Sequence, residues 1–193
     1  MKQAKVLSEA ELKRVLSVIT NQRHAARNRM AVMLSFYAGM RVGEIAHLKL
    51  GDVLDGDGRV KDQITLLAHY TKTAEARAVF VSGKLRRELE RYVSCNTTTD
   101  RAAPFLVTQK ATAFSANTLC QLFGQIYALA GIDGASSHSG RRWFITQLAH
   151  SGVSAKVIMT LAGHRHLSTT QRYIEVNDQM MKAAVEVLSL IAR

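Results

Sequence analysis

The sequence is poor in the residues and segments that mark several classes of protein. Cys95 and Cys120 are the only cysteines among 193 residues, too few for the disulfide framework of a small secreted domain. The longest apolar runs fall far short of the roughly 20 residues that a membrane-spanning helix needs, and the charged N-terminal residues lack the apolar centre of a secretory signal. Pro104 is the only proline, and no Gly/Ser linker or internal repeat divides the chain. The sequence therefore predicts a single domain in a reducing, cytoplasmic setting.

Acidic residues are also scarce, and their distribution is uneven. Lys and Arg number 26 against 15 Asp and Glu, a formal net charge of +11. Residues 135–174 contain no Asp or Glu at all. The cations and histidines of this acid-free segment are Arg141, Arg142, Lys156, Arg165, Arg172, His138, His150, His164 and His166. Cations without counter-anions favour a polyanionic partner, with nucleic acid ahead of an acidic membrane because no basic amphipathic anchor is evident.

The motifs of several familiar chemistries are missing. There is neither a G-x-x-x-x-G-K-[ST] loop nor a G-x-G-x-x-G turn for nucleotide phosphates. His164 and His166 lack further ligands at zinc spacing, and the acid-free segment has no carboxylates for a metal-dependent nuclease. The sequence predicts no cofactor and no catalytic metal.

The spacing of apolar residues predicts a mainly α-helical α+β fold with one small antiparallel sheet. Ser8 and Glu11 form a capping-box pattern that predicts a helix over residues 8–20. The other predicted helices cover residues 21–40, a short stretch opening at Arg41 and including Leu48, and residues 82–94, 115–130, 139–150, 154–161, 168–173 and 178–191. The segments ITLLAHYTK and RAVFV predict a hairpin with its tip at residues 73–76, and residues 96–101 and 131–137 are predicted loops.

Two basic motifs at predicted helix starts are candidate anion sites. If helical, His138 and Arg141 lie one turn apart on the same face, where free backbone N–H groups favour an anion. Alone, however, H-x-x-R is a weak motif. Arg41 and Glu44 are spaced as an i,i+3 ion pair, and the apolar neighbours of Arg41 predict a partly buried guanidinium that pairs with Glu44 or with a ligand phosphate.

Two further segments allow both a functional and a purely structural interpretation. Lys72 lies near the predicted hairpin tip and is either an ordinary exposed lysine or a site residue. Tyr173 follows His164 by nine residues in the polar run S-T-T-Q-R-Y, which is either a solvated connector or part of a site. The segment LAHSGVSAKVIMTLAGH also fits a helix-turn-helix DNA reader, which would make the protein a regulator without chemistry.

The motifs together identify a resemblance. In order along the chain they are F-Y-A-G-M-R-V-G-E, Y-T-K-T, H-S-G-R-R, L-A-G-H and S-T-T-Q-R-Y. With them the sequence strongly resembles the catalytic domain of the tyrosine recombinases, the phage-integrase family, over about residues 8–176. The most specific part is L-A-G-H followed nine residues later by a tyrosine, in register with the upstream H-x-x-R.

The resemblance implies a site-specific DNA recombinase, of integrase or invertase type, that cleaves and rejoins DNA without metal or ATP. The catalytic residues that it implies are Arg41, Lys72, His138, Arg141, His164 and Tyr173. The two arginines and His164 would bind the non-bridging oxygens of one phosphate, His138 would exchange a proton with the tyrosine, and Lys72 would protonate the leaving 5′-oxygen. Tyr173 would be the nucleophile, on a segment expected to have few core anchors and low local stability. The alternatives are a DNA-binding regulator with the same fold and a type IB topoisomerase-like enzyme.

The sequence departs from the family pattern at several points. Gly140 and Arg142 stand where Leu and His are more frequent, and the turn around Lys72 lacks the usual glycine. The N-terminal clamp domain of most members is expected to be absent, so that residues 1–193 form one catalytic domain. Residues 177–193 are expected to form a helix that packs on its own domain or docks onto a neighbouring protomer.

The resemblance also implies partners and a setting. The expected partner is double-stranded DNA, bound by a homo-tetramer on two DNA sites, with a monomer or weak oligomer when DNA is absent. Accessory proteins are expected as further partners, and a membrane is not. The expected location is the cytoplasmic nucleoid of a bacterium, phage or mobile element.

Overall fold

The computed structural model describes residues 3–70, 75–174, 176 and 178–191, and most of them are helical. In chain order the elements are α1 Glu9–Thr20, α2 Ala25–Tyr37, α3 Val42–His47, α4 Leu50–Val53, β1 Gln63–Leu66, a 3-10 turn Ala68–Tyr70, β2 Arg77–Phe80, α5 Gly83–Ser94, α6 Ala116–Leu129, α7 Ser139–His150, α8 Ala155–Ala162, α9 Leu167–Gln171 and α10 Asp178–Ile191. The chain divides into two compact units, Met1–Phe144 and Ile145–Arg193, and the division falls within α7.

The helix starts predicted at Ser8, Ser82, Ser115 and Ser154 are confirmed. The Ser8 hydroxyl accepts a hydrogen bond from the Glu11 backbone N–H, and the Glu11 carboxylate accepts one from the Ser8 N–H, so the capping box at the start of α1 is complete. Helices α5, α6 and α8 are capped in a similar way by a serine hydroxyl that accepts a hydrogen bond from the backbone N–H three residues later. The three serines are Ser82, Ser115 and Ser154. These caps satisfy N–H groups that a helix start otherwise leaves unpaired.

The core of the first unit is built around α2. Its residues from Met30 to Leu34 are all buried, as is Phe36, because α2 packs against both α1 and α5. The predicted helix over residues 21–40 is too long at both ends. Residues 21–24 form a turn instead, and Gly39, with φ of 59°, breaks the helix beyond Tyr37.

The predicted hairpin is confirmed as an antiparallel pair of short strands. Ile64 pairs with Val79, and both side chains are buried on the inner face. β1 is shorter than the segment ITLLAHYTK because the chain turns after Leu67, whose carbonyl accepts from the Tyr70 N–H. The tip with Lys72 lies outside the described residues.

Two short helices differ from the sequence prediction. α3 ends at His47, so that Leu48 is extended rather than helical. α9 covers Leu167–Gln171, and Tyr173 therefore lies just after the helix that was predicted to include it. One-turn elements such as α4, which the sequence did not predict, carry too few residues for a periodic pattern.

In the second unit, α8 packs against α9, and Ile158 and Ala162 are buried. α10 is different, because its described side chains at 181–187 and 189 are all exposed, including Met181, Val185 and Val187. Along the stretches that the structure describes, no helix has the length and apolar character needed to cross a bilayer.

Gly140 lies where α7 passes close to α2. A Cβ atom at this position would lie 2.3 Å from the Ser35 Oγ and 2.6 Å from the Phe36 Cδ2. Gly140→Ala should therefore lower the free energy of unfolding by about 1–2 kcal/mol, since overpacking outweighs the gain in helix propensity. Gly124→Ala in α6 is the matched control, because nothing lies within 4 Å of its added methyl group. The control should raise stability by roughly 0.5–1 kcal/mol, and urea denaturation of both variants measures the difference. Equal effects of the two substitutions would contradict the close approach.

Candidate functional site

Arg41, Glu44 and Arg77 form a buried cluster in the first unit. The Arg41 Nη1 donates to the Glu44 Oε1 at 2.8 Å, and the Arg41 backbone N–H donates to the Glu44 Oε2 at 2.8 Å. From the first residue of β2, the Arg77 Nη2 donates to the Glu44 Oε2 at 2.7 Å and its Nε to the Oε1 at 3.2 Å. Each carboxylate oxygen of Glu44 thus accepts two hydrogen bonds, one from each arginine. The predicted Arg41–Glu44 ion pair is confirmed, and so is the partial burial of Arg41, whose side chain is 19% exposed.

The cluster keeps the Glu44 carboxylate ionised although its side chain is only 1% exposed. Burial by itself raises the pKa of Glu44, but hydrogen bonds and charge from Arg77, and then from Arg41, outweigh burial and lower the pKa below its ordinary value. A carboxylate buried in this way holds both guanidinium groups at fixed positions. The buried Glu44 carboxylate therefore ties the start of α3, at Arg41, rigidly to strand β2 of the hairpin.

Arg141 is the second guanidinium of the first unit that the sequence singled out. It is 5% exposed, and its Nη1 donates to the Gly39 carbonyl at 2.6 Å. Gly39 precedes Arg41 by two residues, so the turn between α2 and α3 brings the start of α3 and the first turn of α7 together. Each guanidinium carries five N–H donors in a planar fork, a geometry that suits the oxygens of a phosphate.

His138 lies immediately before α7 rather than within it. The two residues were predicted to share a helix face if His138 is helical. His138 precedes the helix and is exposed, whereas Arg141 is buried. The chain turns at Ser136, whose N–H donates to the Ser139 Oγ and whose Oγ accepts from the His138 N–H. This turn places the His138 imidazole just before α7 and the Arg141 guanidinium in the first turn of that helix.

The second unit brings His164 and Tyr173 together. Gly163 ends α8 in the left-handed conformation, with φ of 61°, and the His164 N–H closes the helix end by donating to the Met159 carbonyl. The His164 and Tyr173 rings are stacked, with centroids 6.0 Å apart and an interplanar angle of 21°. The polar run is therefore more than a connector, because its tyrosine packs on the histidine of the L-A-G-H motif.

Thr170 fixes His164 from the opposite end of α9. Its hydroxyl lies 2.8 Å from the His164 Nδ1, and the residue is completely buried. The segment was expected to have few core anchors. Ser168 and Gln171 are exposed, and Thr170 is the buried residue of this run. The sequence contains this signal, a Thr shortly after His164. A search for periodic apolar residues does not detect it, because Thr is polar.

The structure does not describe every predicted site residue, and it adds others. Lys72 lies outside the described residues. Arg77 and Thr170 were missed by sequence reasoning. For Arg77 the signal was indirect. A carboxylate as buried as that of Glu44 requires cationic partners, and Arg41 is only one of them. Among the residues whose placement is described, no cluster of three or more His, Cys, Asp and Glu could hold a metal ion.

Comparisons with known proteins agree with the motifs. The model of the phage integrase family matches residues 5–180. Tyrosine recombinase XerA of Pyrococcus horikoshii is 30% identical over 191 residues, covering 97% of this chain and 62% of the relative. The chain therefore spans somewhat less than two thirds of that relative's length.

Solved structures show the same fold. A crystal structure of XerA recombinase matches with a TM-score of 0.74 at 24% identity, covering 95% of this chain and 63% of that one. A Tn1549 transposon integrase in complex with a circular intermediate DNA matches with a TM-score of 0.78 at 19% identity, over 96% of this chain and 66% of that one. The mainly helical fold with a small antiparallel sheet is thus confirmed as that of tyrosine-recombinase catalytic domains. Because the family model covers nearly the whole sequence, this chain belongs to the phage integrase family, the tyrosine recombinases.

Proposed function

We propose that this chain cleaves and rejoins DNA through a covalent 3′-phosphotyrosyl intermediate, as a site-specific recombinase of integrase or invertase type. The observation that carries the proposal is the stacked pair of His164 and Tyr173, with the imidazole held by the buried Thr170. A tyrosine placed against a fixed histidine at the end of a short helix is suited to chemistry, whereas a connector has no need of that arrangement. Family membership, the partly buried Arg41 and the buried Arg141 support the same function.

The arginines suit the first requirement of the reaction, which is to neutralise a phosphodiester. Cleavage of a DNA phosphodiester is extremely slow without catalysis, and negative charge accumulates on the non-bridging oxygens in the transition state. Arg41 and Arg141 are proposed to donate to those two oxygens, and His164 is proposed to add a third donor. Planar, permanently charged guanidinium groups provide such bonds in a fixed geometry.

Tyr173 is proposed to be the nucleophile. Its phenolic oxygen attacks phosphorus, the bond from phosphorus to the 5′-oxygen breaks, and a 3′-phosphotyrosyl ester remains. His138 accepts the phenolic proton, since imidazole exchanges protons near neutral pH. Lys72 gives a proton to the departing 5′-oxygen. The ester conserves the energy of the broken bond, so that a 5′-hydroxyl of another strand reverses the step without ATP.

The surface proposed to bind the double-stranded DNA is the acid-free segment at residues 135–174. Cations such as Arg172 are exposed there, and the segment itself contains no Asp or Glu. Binding through these cations releases counterions from DNA, so that affinity should fall steeply as salt rises. Such binding would place the protein on the nucleoid, and accessory DNA-binding proteins would join it at the recombination site.

The last helix is proposed to dock onto a second copy of this chain. Met181 and Val185 are four residues apart on α10 and 52% and 64% exposed, so their apolar side chains are not covered within this chain. Exchange between two duplexes requires four tyrosines and hence four protomers, each needing an interface with the next. Residues 1–193 would then act as one catalytic domain whose final helix reaches a neighbour.

Charged substitutions on α10 test this docking. Met181→Glu with Val185→Glu should abolish assembly of several protomers on DNA in analytical ultracentrifugation, because burying unpaired carboxylates is costly. Covalent capture by a single protomer on a half-site should change little. Ser189→Glu, also exposed on α10, is the control that adds a charge at a polar position. Unchanged assembly of the double variant would contradict the docking role.

Thr170 is proposed to orient His164 for the reaction. If its hydroxyl donates to the Nδ1, the Nε2 of a neutral imidazole carries the proton that the phosphate needs. Thr170→Val keeps the shape of the side chain and should slow cleavage roughly fivefold to tenfold, the value of one hydrogen bond. Thr169→Val makes the same chemical change one position earlier, away from the Nδ1, and should leave the single-turnover rate within about twofold. Equal rates for the two variants would show that the Thr170 bond has no catalytic role.

The proposed function is tested with a nicked suicide DNA, from which cleavage releases a short fragment that carries the free 5′-hydroxyl, so that rejoining fails. The chain should migrate as a protein–DNA adduct in a denaturing gel, and EDTA should not prevent its formation. Binding without an adduct would favour the DNA-binding regulator, which the helix, turn and helix at α7 and α8 also fit. Relaxation of supercoiled DNA without site preference would favour the topoisomerase.

A further inference from the structure

The charge balance around Glu44 assigns a role to Arg77. Arg41 and Glu44 alone would be a neutral ion pair, and a neutral pair gives little attraction to an incoming phosphate. Arg77 contributes a second positive charge to the same carboxylate through two hydrogen bonds, so that the cluster of three keeps one net positive charge. Since Arg77 has a side chain only 7% exposed, water screens this interaction weakly.

We propose that Arg77 is a positioning residue that acts through Glu44: it neutralises the carboxylate and thereby leaves the charge of Arg41 available to a phosphate. This role rests on the proposed function, because it concerns the phosphate that Arg41 binds in that reaction. Arg77 belongs to β2 and Arg41 to the start of α3, so the carboxylate also fixes the hairpin against the proposed site. Arg77 makes no contact with the reacting atoms in this role.

The geometry separates this role from simple stabilisation of the fold. When Arg77 is removed, Glu44 keeps only the two hydrogen bonds from Arg41, and the carboxylate then competes with the phosphate for the Arg41 guanidinium. Removing the carboxylate charge as well should restore the balance, because a glutamine amide oxygen still accepts from Arg41 without cancelling its charge. A purely structural role predicts instead that the rate of each folded variant follows its melting temperature, whatever charge is left beside Arg41.

The experiment is a double-mutant cycle that compares wild type, Arg77→Met, Glu44→Gln and the double variant. The measured quantity is the single-turnover rate of adduct formation on the nicked suicide DNA at saturating protein. Arg77→Met should be slower by at least about tenfold, by loss of positive charge at the phosphate. The double variant should be faster than Arg77→Met and within roughly fivefold of wild type. A double variant as slow as Arg77→Met, or slower, would overturn the proposal.

Matched variants separate this role from a loss of folding. Arg29 pairs with Glu88 through two hydrogen bonds in the same manner, between α2 and α5, and belongs to no proposed site. Arg29→Met should lower the melting temperature without slowing adduct formation. If Arg77→Met does not fold, Arg77→Lys decides: it retains the charge and should react within about tenfold of wild type, and a folded but inactive lysine variant would overturn the proposal. If wild type itself forms no adduct, the proposed function fails first and independently of Arg77.

Discussion

Tyr173→Phe should abolish the covalent adduct while DNA binding persists. The substitution removes the phenolic oxygen and keeps the ring that stacks on His164 at 6.0 Å. Without that oxygen no phosphotyrosyl ester can form, so adduct on nicked suicide DNA should fall below detection in a denaturing gel. DNA affinity in a mobility-shift assay should stay within about threefold, because the substitution removes none of the cations proposed to bind the phosphates.

A second tyrosine provides the control for this substitution. Tyr37 is partly buried, and its hydroxyl lies 2.6 Å from the Lys84 Nζ on α5, so Tyr37→Phe removes a bonded phenolic oxygen outside the proposed site. That variant should still form the adduct. Adduct formation by Tyr173→Phe would mean that another residue is the nucleophile, and the mechanism proposed for this family member would then fail.

Arg141→Ala is expected to have the second largest effect, a loss of cleavage on the order of 10²-fold or more. The guanidinium is buried, is fixed by the Gly39 carbonyl at 2.6 Å, and is proposed to stabilise charge that develops only in the transition state. Arg41→Ala should cost a similar factor for the same reason. The measurement is again the single-turnover rate at saturating protein, which excludes effects on DNA affinity.

The neighbouring arginine on α7 is the matched control. Arg142 donates to the Ala4 carbonyl at 2.6 Å and is not assigned to the phosphate. Arg142→Ala should reduce thermal stability and leave the rate within a few-fold of wild type. If Arg141→Ala also loses only a few-fold, its guanidinium has a structural role, and the phosphate clamp must be formed by other residues.

Local sequence signals predicted the long elements well. Helix starts predicted at Ser8, Ser82, Ser115 and Ser154 lie within one residue of those in the structure, where each serine hydroxyl acts as a cap within a single turn. The apolar spacing that predicted the helix at residues 21–40 extended it too far, because the left-handed Gly39 that ends it is set by the turn toward α3. The one-turn helix α4 was missed, since four residues carry no periodic pattern of their own.

The site residues divide in the same way: contacts between residues close in sequence were predicted, and contacts between distant residues were not. Arg41 with Glu44 was readable because their spacing matches an ion pair within one helical turn. Arg77 was not, because its contact with Glu44 joins residues 33 positions apart, and no local rule relates a strand residue to a helix start. His138 was expected on the face of Arg141 if it is helical. The helix begins at Ser139, as predicted, and His138 lies exposed just before it.

The sequence by itself determined the family, the basic character and the identity of the residues proposed to react, because motifs and charge are properties of the chain order. The tertiary structure alone decided which groups hold those residues: Arg77 on Glu44, the Gly39 carbonyl on Arg141, and Thr170 on His164. The physical reason is that a buried charge or polar group must find partners wherever the folded chain brings them. Those partners are selected by packing, and their distance along the sequence has no bearing on the choice.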